Sequence, residues 1–163
     1  MDILGISCFY HDSAAALLRD GELVAASMEE RLTRKKHDNG FPKLAIDFCL
    51  ERGGIQGPDL DYVVFYEKPM VKVGRILQTS LSTFPQSWDF WREAVTSYVT
   101  EKFWIKSLIQ RELGVSPEKI LFCDHHMSHA ASAFFASPFE GAAVLTIDGV
   151  GEWTTTTMGE ACG

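Results

Sequence analysis

No stretch of this chain supplies the roughly 20 consecutive apolar residues that a bilayer-crossing helix needs, and no charged-then-apolar leader precedes Asp2-Ile3-Leu4-Gly5. Membrane residence is therefore not expected, and a cytoplasmic address is. Cysteine is scarce and scattered (Cys8, Cys49, Cys123, Cys162), which argues against a disulfide framework and for reduced core thiols, Cys8 and Cys123 lying in apolar, strand-like runs. Positive charge is also short: 15 Lys and Arg against 22 Asp and Glu leave a formal net charge of -7. Such a chain has no general field for nucleic acid, which is not an expected partner, although one local basic site remains compatible with the balance. Apolar content is ample, at 46% of 163 residues, enough for a real core and too much for a disordered chain.

Residues 2–9, 14–19 and 22–29 read as three strands, the last two joined by Asp20-Gly21, a strong type I′ hairpin signal, so an antiparallel meander is expected. The segment from Arg31 to His37 is basic and polar. Phe41-Pro42 then opens an amphipathic helix that runs to about Arg52 and stops at Gly53-Gly54. A short strand over 61–66 precedes helical periodicity over about 71–113, interrupted near Phe84-Pro85. Its aromatic and apolar set (Trp88, Trp91, Val95, Tyr98, Phe103, Trp104) reads as core or as a partner-facing surface. Residues 120–123 form another strand feeding a histidine-bearing helix, and 142–148 with 153–158 make a second hairpin. A meander followed by alternating helix and strand predicts a mixed-sheet α/β layout. The restart at Ala142 suggests the opening hairpin of a second copy of the same lobe. The β-prone run 154–157 has little after it to cover it, which suggests a piece of something larger and invites pairing with a second copy as a homodimer.

The densest chemistry lies in Asp124-His125-His126-Met127-Ser128-His129 and in Asp148-Gly149-Val150-Gly151-Glu152. Asp124 is a good helix N-cap, and His125 and His129 fall at i and i+4 on one helical face. Asp148 ends an apolar run that reads as a buried strand. Two imidazoles and a carboxylate suit iron, zinc or manganese; an isolated His pair at this spacing is more often helix decoration or packing. His126, about 100° round the helix, reads as packing or as support for the ligands. The Gly149-Val150-Gly151 turn leaves bare backbone that can face a phosphate, although a lone turn of this kind is frequently only a tight turn. His11, beside Asp12 in the first hairpin turn, reads either as a satisfied polar loop or, if two opening hairpins face one another, as a general base. The run Glu29-Glu30-Arg31-Leu32-Thr33-Arg34-Lys35-Lys36-His37 is either a solvated face or a grip for phosphate or an acyl phosphate.

Three segments in order, GISCFYHDSAAALLRDGELVAASMEERLTRKKH, DHHMSHAASAF and LTIDGVGE, resemble the carbamoyltransferases of the NodU/CmcH type. The resemblance covers the chain nearly end to end apart from the helical stretch around 70–114. It implies an RNase H-like lobe of an actin-like ATPase fold (the sugar kinase, chaperone ATPase and actin fold), a mixed sheet flanked by helices. Residues 1–140 would form the first lobe, with a helical insertion over about 70–114, and 141–163 the opening β-hairpin of a truncated second lobe. It further implies an ATP-dependent O-carbamoyltransferase that forms carbamoyl adenylate from carbamoyl phosphate and ATP and passes the carbamoyl group to a small-molecule hydroxyl acceptor. In that scheme His125, His129 and Asp148 hold a divalent metal, expected to be Fe(2+). His11 is the general base, Lys36 holds the carbamoyl adenylate, and the backbone of Gly149, Val150 and Gly151 approaches its phosphate. A further ligand, the adenine pocket and the carbamoyl-activating domain would lie beyond residue 163, so this segment alone is expected to be inactive. The rival readings are a sugar-kinase-like phosphotransferase of the same superfold, which needs no histidine pair, and a nucleotide-binding interaction module, which needs no carbamoyl phosphate.

Overall fold

Alternation of apolar side chains builds the first strands of the computed structural model, which describes residues 1–86, 88, 104–149 and 151–163. In β1 (Asp2–Ser7) the side chains of Leu4 and Ile6 are buried, and in β2 (Ala14–Arg19) those of Ala15 and Leu17 are. β2 and β3 (Glu22–Met28) are joined by Asp20 and Gly21, whose φ angles of 51° and 87° are both positive, as a type I′ turn requires. Arg19 pairs with Glu22 across that turn. β1 pairs antiparallel with β2 and parallel with β4 (Tyr62–Phe65), which pairs parallel with β5 (Ile120–Phe122). The result is a five-stranded mixed sheet in the order β3-β2-β1-β4-β5, an α/β arrangement of a mixed sheet flanked by helices.

Backbone contacts divide the chain into two compact units: residues 1–65 with 100–122, and 66–99 with 123–163. Among the described residues the first holds the five-stranded sheet together with three α-helices: α1 (Glu29–Thr33), α2 (Lys43–Gly53) and α4 (Ile105–Leu113). α2 buries Ala45, Ile46 and Cys49, and α4 buries Ile105, Ile109 and Leu113 at helical spacing. Gly54, at φ 63°, ends α2 in the left-handed conformation and donates its N–H to the Glu51 carbonyl. α1 was not expected from the sequence, where its residues read as a polar run; one turn of helix carries too few positions to show a period. Glu29, the first residue of α1, is buried, and its carboxylate accepts the N–H groups of Leu44 (3.1 Å) and Ala45 (2.7 Å) in the first turn of α2. The residue at the cap position of that helix is Pro42, which has no side-chain acceptor. A carboxylate from another helix therefore satisfies amides that the local sequence leaves unpaired.

The second unit contains α3 (Pro69–Ser82), α5 (His125–Phe134) and a two-stranded antiparallel sheet of β6 (Gly141–Ile147) and β7 (Thr156–Cys162). β7 begins later than the expected residue 153. Asp148 donates its backbone N–H to the Thr155 carbonyl (2.8 Å), which closes the loop there and starts the ladder at Ile147 opposite Thr156. β6 is also not the buried strand that its composition suggests. Thr146 is buried, whereas Leu145, Ile147 and the facing Met158 are exposed, so one apolar face of the hairpin is open among the described residues. All four cysteines are free thiols. Cys8 and Cys49 are buried, Cys123 is half-buried and Cys162 is exposed, so the core position expected for Cys123 is only partial. No described helix is long and apolar enough to cross a membrane. Trp88 and Trp104 are exposed, while Trp91, Val95, Tyr98 and Phe103 lie outside the described residues.

Candidate functional site

Asp124 is extended (φ -67°, ψ 138°) and its carbonyl accepts the Ser128 N–H, so α5 opens with His125 and His129 one turn apart. Their Nε2 atoms lie 3.1 Å from each other. Asp148, at the end of β6, brings Oδ2 to 2.6 Å from His125 Nε2 and 3.9 Å from His129 Nε2. One donor atom from each of the three side chains falls within 4.8 Å of the others. The His125 side chain is 9% exposed and that of His129 is 53% exposed, so the trio has a closed wall and an open side.

Proton counting shows what this arrangement can hold. A ring nitrogen carries one hydrogen or one lone pair, yet His125 Nε2 faces both a carboxylate oxygen and a second imidazole nitrogen. At most one of those approaches can be a hydrogen bond from His125. Lone pairs from two imidazoles and a carboxylate directed at one region are the donor set a divalent transition metal takes. The buried Nδ1 of His125 has no hydrogen-bond partner, so no hydrogen bond on that side of the ring competes with the approach of Nε2 to His129 and Asp148. The residues present therefore fit a bound cation.

Burial alone would raise the carboxyl of Asp148. Hydrogen bonds from His125 and from the Gly151 and Gly149 amides outweigh it, and the group is held down at about 2. Its Oδ1 accepts the Gly149 N–H (2.6 Å) and its Oδ2 the Gly151 N–H (3.1 Å), so both glycine amides point at the Asp148 side chain. Gly151 has φ 55°, and a Cβ there would stand 2.0 Å from the Thr154 carbonyl oxygen and 3.0 Å from His126 Nε2. Gly149 has open space at the same position. The second turn of α3 and the residue before the helix are stitched to this loop: Glu152 accepts the Lys68 N–H, and Arg75 donates to the Gly151 carbonyl (3.1 Å). Val150 lies outside the described residues.

Of three neighbouring residues, Asp124 departs from its sequence reading, His126 keeps to its reading as support, and Glu67 was not readable. Asp124 makes no side-chain cap; its carboxylate is drawn to Lys68 Nζ, 2.8 Å away. His126 places Nδ1 2.7 Å from Thr146 Oγ1 and Nε2 2.7 Å from the Thr154 carbonyl, bridging strand and loop. Behind His125 lies a fully buried carboxylate, Glu67, with Lys72 Nζ at 3.3 Å. The local sequence around Glu67 carries no signal of this burial, which tertiary packing alone decides.

His11 and Lys36 belong to the other unit. His11 is exposed, with Nδ1 3.0 Å from Asp12 Oδ2, and Asp12 Oδ1 lies 2.8 Å from His37 Nδ1. Lys36 is exposed. Four non-glycine residues here have left-handed backbone: Phe9 (64°), Asp12 (46°), Arg34 (61°) and His37 (55°). This costly conformation is retained where surrounding bonds enforce it. The Phe9 N–H donates to the Asn39 carbonyl and the Ser13 N–H to the Asp38 carbonyl, both at 2.8 Å, tying the hairpin turn to the basic segment. Asp12, Glu30 and His37 form a second group with donor atoms within 4.8 Å. Their distance apart in sequence leaves no local signal for it.

Residues 2–160 match the family model described as Carbamoyltransferase N-terminus. An uncharacterized protein of Synechocystis sp. is 51% identical over 163 residues, covering 96% of this chain and 26% of that protein. Nodulation protein NolNO of Sinorhizobium fredii is 37% identical over 149 residues, covering 90% of this chain and 21% of that protein. An uncharacterized protein of Methanocaldococcus jannaschii is 29% identical over 150 residues, covering 92% of this chain and 22% of that protein. The chain thus spans about a quarter of the length of these relatives.

Proposed function

The chain belongs to the carbamoyltransferase N-terminal family, and from that premise we propose that it supplies the metal-holding part of an ATP-dependent O-carbamoyltransferase. The observation that carries this reading is the convergence of His125 Nε2, His129 Nε2 and an Asp148 oxygen, an arrangement without use in a plain nucleotide switch. These three side chains hold a divalent metal, Fe(2+) by family resemblance. When bound, the ion supplies Lewis acidity that polarises the carbamoyl oxygen.

The protein's own residues do the rest. By family resemblance, Lys36 holds a carbamoyl adenylate made from carbamoyl phosphate and ATP. His11 takes the proton of a small-molecule hydroxyl acceptor as the acceptor oxygen bonds to the carbamoyl carbon. The bond from that carbon to the AMP oxygen breaks, and AMP leaves. Asp12 accepts from His11 Nδ1, which leaves Nε2 of the neutral ring as the basic nitrogen. The strand order β3-β2-β1-β4-β5, antiparallel then parallel, supports an RNase H-like lobe of an actin-like fold. The β6–β7 hairpin, with its open face of Leu145, Ile147 and Met158, then serves as the start of a second lobe.

The test is elemental analysis of the intact protein combined with carbamoyl-phosphate-dependent ATP/pyrophosphate exchange and acceptor carbamoylation. His125→Ala or His129→Ala should remove bound metal and carbamoyl transfer while the protein stays folded. Wild-type transfer in either variant, or ATP turnover indifferent to carbamoyl phosphate, rejects the reading.

A further inference from the structure

We propose that Glu67 is a positioning residue for the metal centre: buried behind His125, it accepts the Nδ1 proton of that imidazole and so keeps the Nε2 lone pair turned toward His129 and Asp148. The inference rests on the metal reading above and adds a residue to it.

Glu67 is 0% exposed, and a buried carboxylate is expensive unless it is paired. Lys72, itself 7% exposed and set in the first turns of α3, answers that cost with Nζ 3.3 Å from Glu67 Oε2. A pair kept only for stability could be replaced by apolar side chains at little loss. This pair instead presents the same Oε2 to the buried Nδ1 of His125, 4.0 Å away. That Nδ1 has no hydrogen-bond partner, and the Tyr66 ring, with its centroid 5.7 Å from that of His125, confines the imidazole from the side.

Imidazole tautomerism explains the 4.0 Å gap. The 2.6 Å contact of His125 Nε2 with Asp148 Oδ2 is that of an N–H donating to a carboxylate. In the neutral ring that donation leaves a lone pair on Nδ1, and two acceptors face to face keep apart. With Nε2 committed to a cation, the ring proton must sit on Nδ1, where Glu67 is the charged acceptor in reach. Reaching hydrogen-bond length then takes a movement of about 1 Å, shared between the imidazole and the Glu67 side chain. A histidine ligand fixed by a carboxylate on its other nitrogen loses about 10–100-fold in metal affinity when that carboxylate is removed.

Two double variants of the intact protein isolate the acceptor from the ion pair. Glu67→Leu/Lys72→Met and Glu67→Gln/Lys72→Met both delete the pair and fill its space, but only the second keeps an oxygen facing Nδ1. Zn(II) affinity, read by competition with a chromophoric chelator, should fall about 10–100-fold in the Leu variant and recover most of that loss in the Gln variant. Equal affinity in the two overturns the proposal. Nitrogen-15 NMR of the Zn(II)-loaded wild type needs no variant: a hydrogen-bonded Nδ1–H on His125 is expected, and coordination through Nδ1 overturns the proposal by itself. Wild-type protein that takes up no Zn(II) removes the metal reading as well. Protein that binds Zn(II) through His125 but is indifferent to residue 67 removes this inference alone.

Discussion

His126 Nε2 lies 2.7 Å from the Thr154 carbonyl, and that contact settles the whole ring. A carbonyl only accepts, so Nε2 carries the hydrogen, and in the neutral ring Nδ1 accepts from the Thr146 hydroxyl 2.7 Å away. Thr146 Oγ1 in turn lies 2.5 Å from Thr157 Oγ1, so one chain of hydrogen bonds runs from β7 through β6 to the loop. Both nitrogens of His126 are therefore occupied, and it braces the loop that carries Asp148 without offering a ligand. His126→Ala should lower stability by about 1–3 kcal/mol, the cost of stranding its partners, and leave metal stoichiometry unchanged. Thermal melts and elemental analysis of the intact protein check both, and loss of metal at full stability would contradict the assignment.

The two glycines of the loop are not equivalent. Gly151→Ala places a Cβ against the Thr154 carbonyl at a left-handed φ, and the loop backbone must shift to accept it. Gly149→Ala meets open space. The first variant should be strongly destabilised and the second within about 0.5 kcal/mol of wild type. A Gly149→Ala protein that melts normally but no longer supports nucleotide-dependent exchange would indicate close approach of a ligand to that backbone.

In the first unit, Asp12 stands between His11 and His37. The hydrogen bond with Asp12, and then its charge, raise the His37 imidazole above its ordinary value; the same hydrogen bond lowers the Asp12 carboxyl. The raised histidine contributes fully below about pH 6.5 and loses its contribution as pH climbs through the raised folded value. The depressed carboxyl contributes above about pH 3.9 and fails as pH drops through its lowered value. The tie between the hairpin turn and the basic segment is thus firmest between those limits, with Glu30 accepting the His37 N–H and Lys35 beside Asp38. An NMR titration of His37 should give a midpoint above the ordinary imidazole value that falls in Asp12→Asn; an unchanged midpoint would exclude the pairing.

Glu29 acts as the N-terminal cap of α2 from a distance. Glu29→Ala leaves the Leu44 and Ala45 amides unpaired and should cost about 1–3 kcal/mol, whereas Glu29→Gln keeps an acceptor and should cost less. Urea denaturation of both variants measures the difference, and equal losses would mean that side-chain volume, not capping, sets the cost.

Patterns that depend on near neighbours are written in the chain itself. The Asp20-Gly21 turn, the Gly54 stop of α2 and the one-turn spacing of His125 and His129 follow from φ preference and helical period, which are local quantities. The mixed sheet follows almost as directly, because alternation and element order constrain pairing. Folding alone decided that Glu29 caps another helix, that Asp124 serves Lys68 in place of its own helix, and that Glu67 is buried behind His125. A charged residue's worth depends on its surroundings: the same carboxylate is an inert surface group in water and a strong acceptor once desolvated. Burial is a sum over contacts distant in sequence, so no reading of nearby letters contains it.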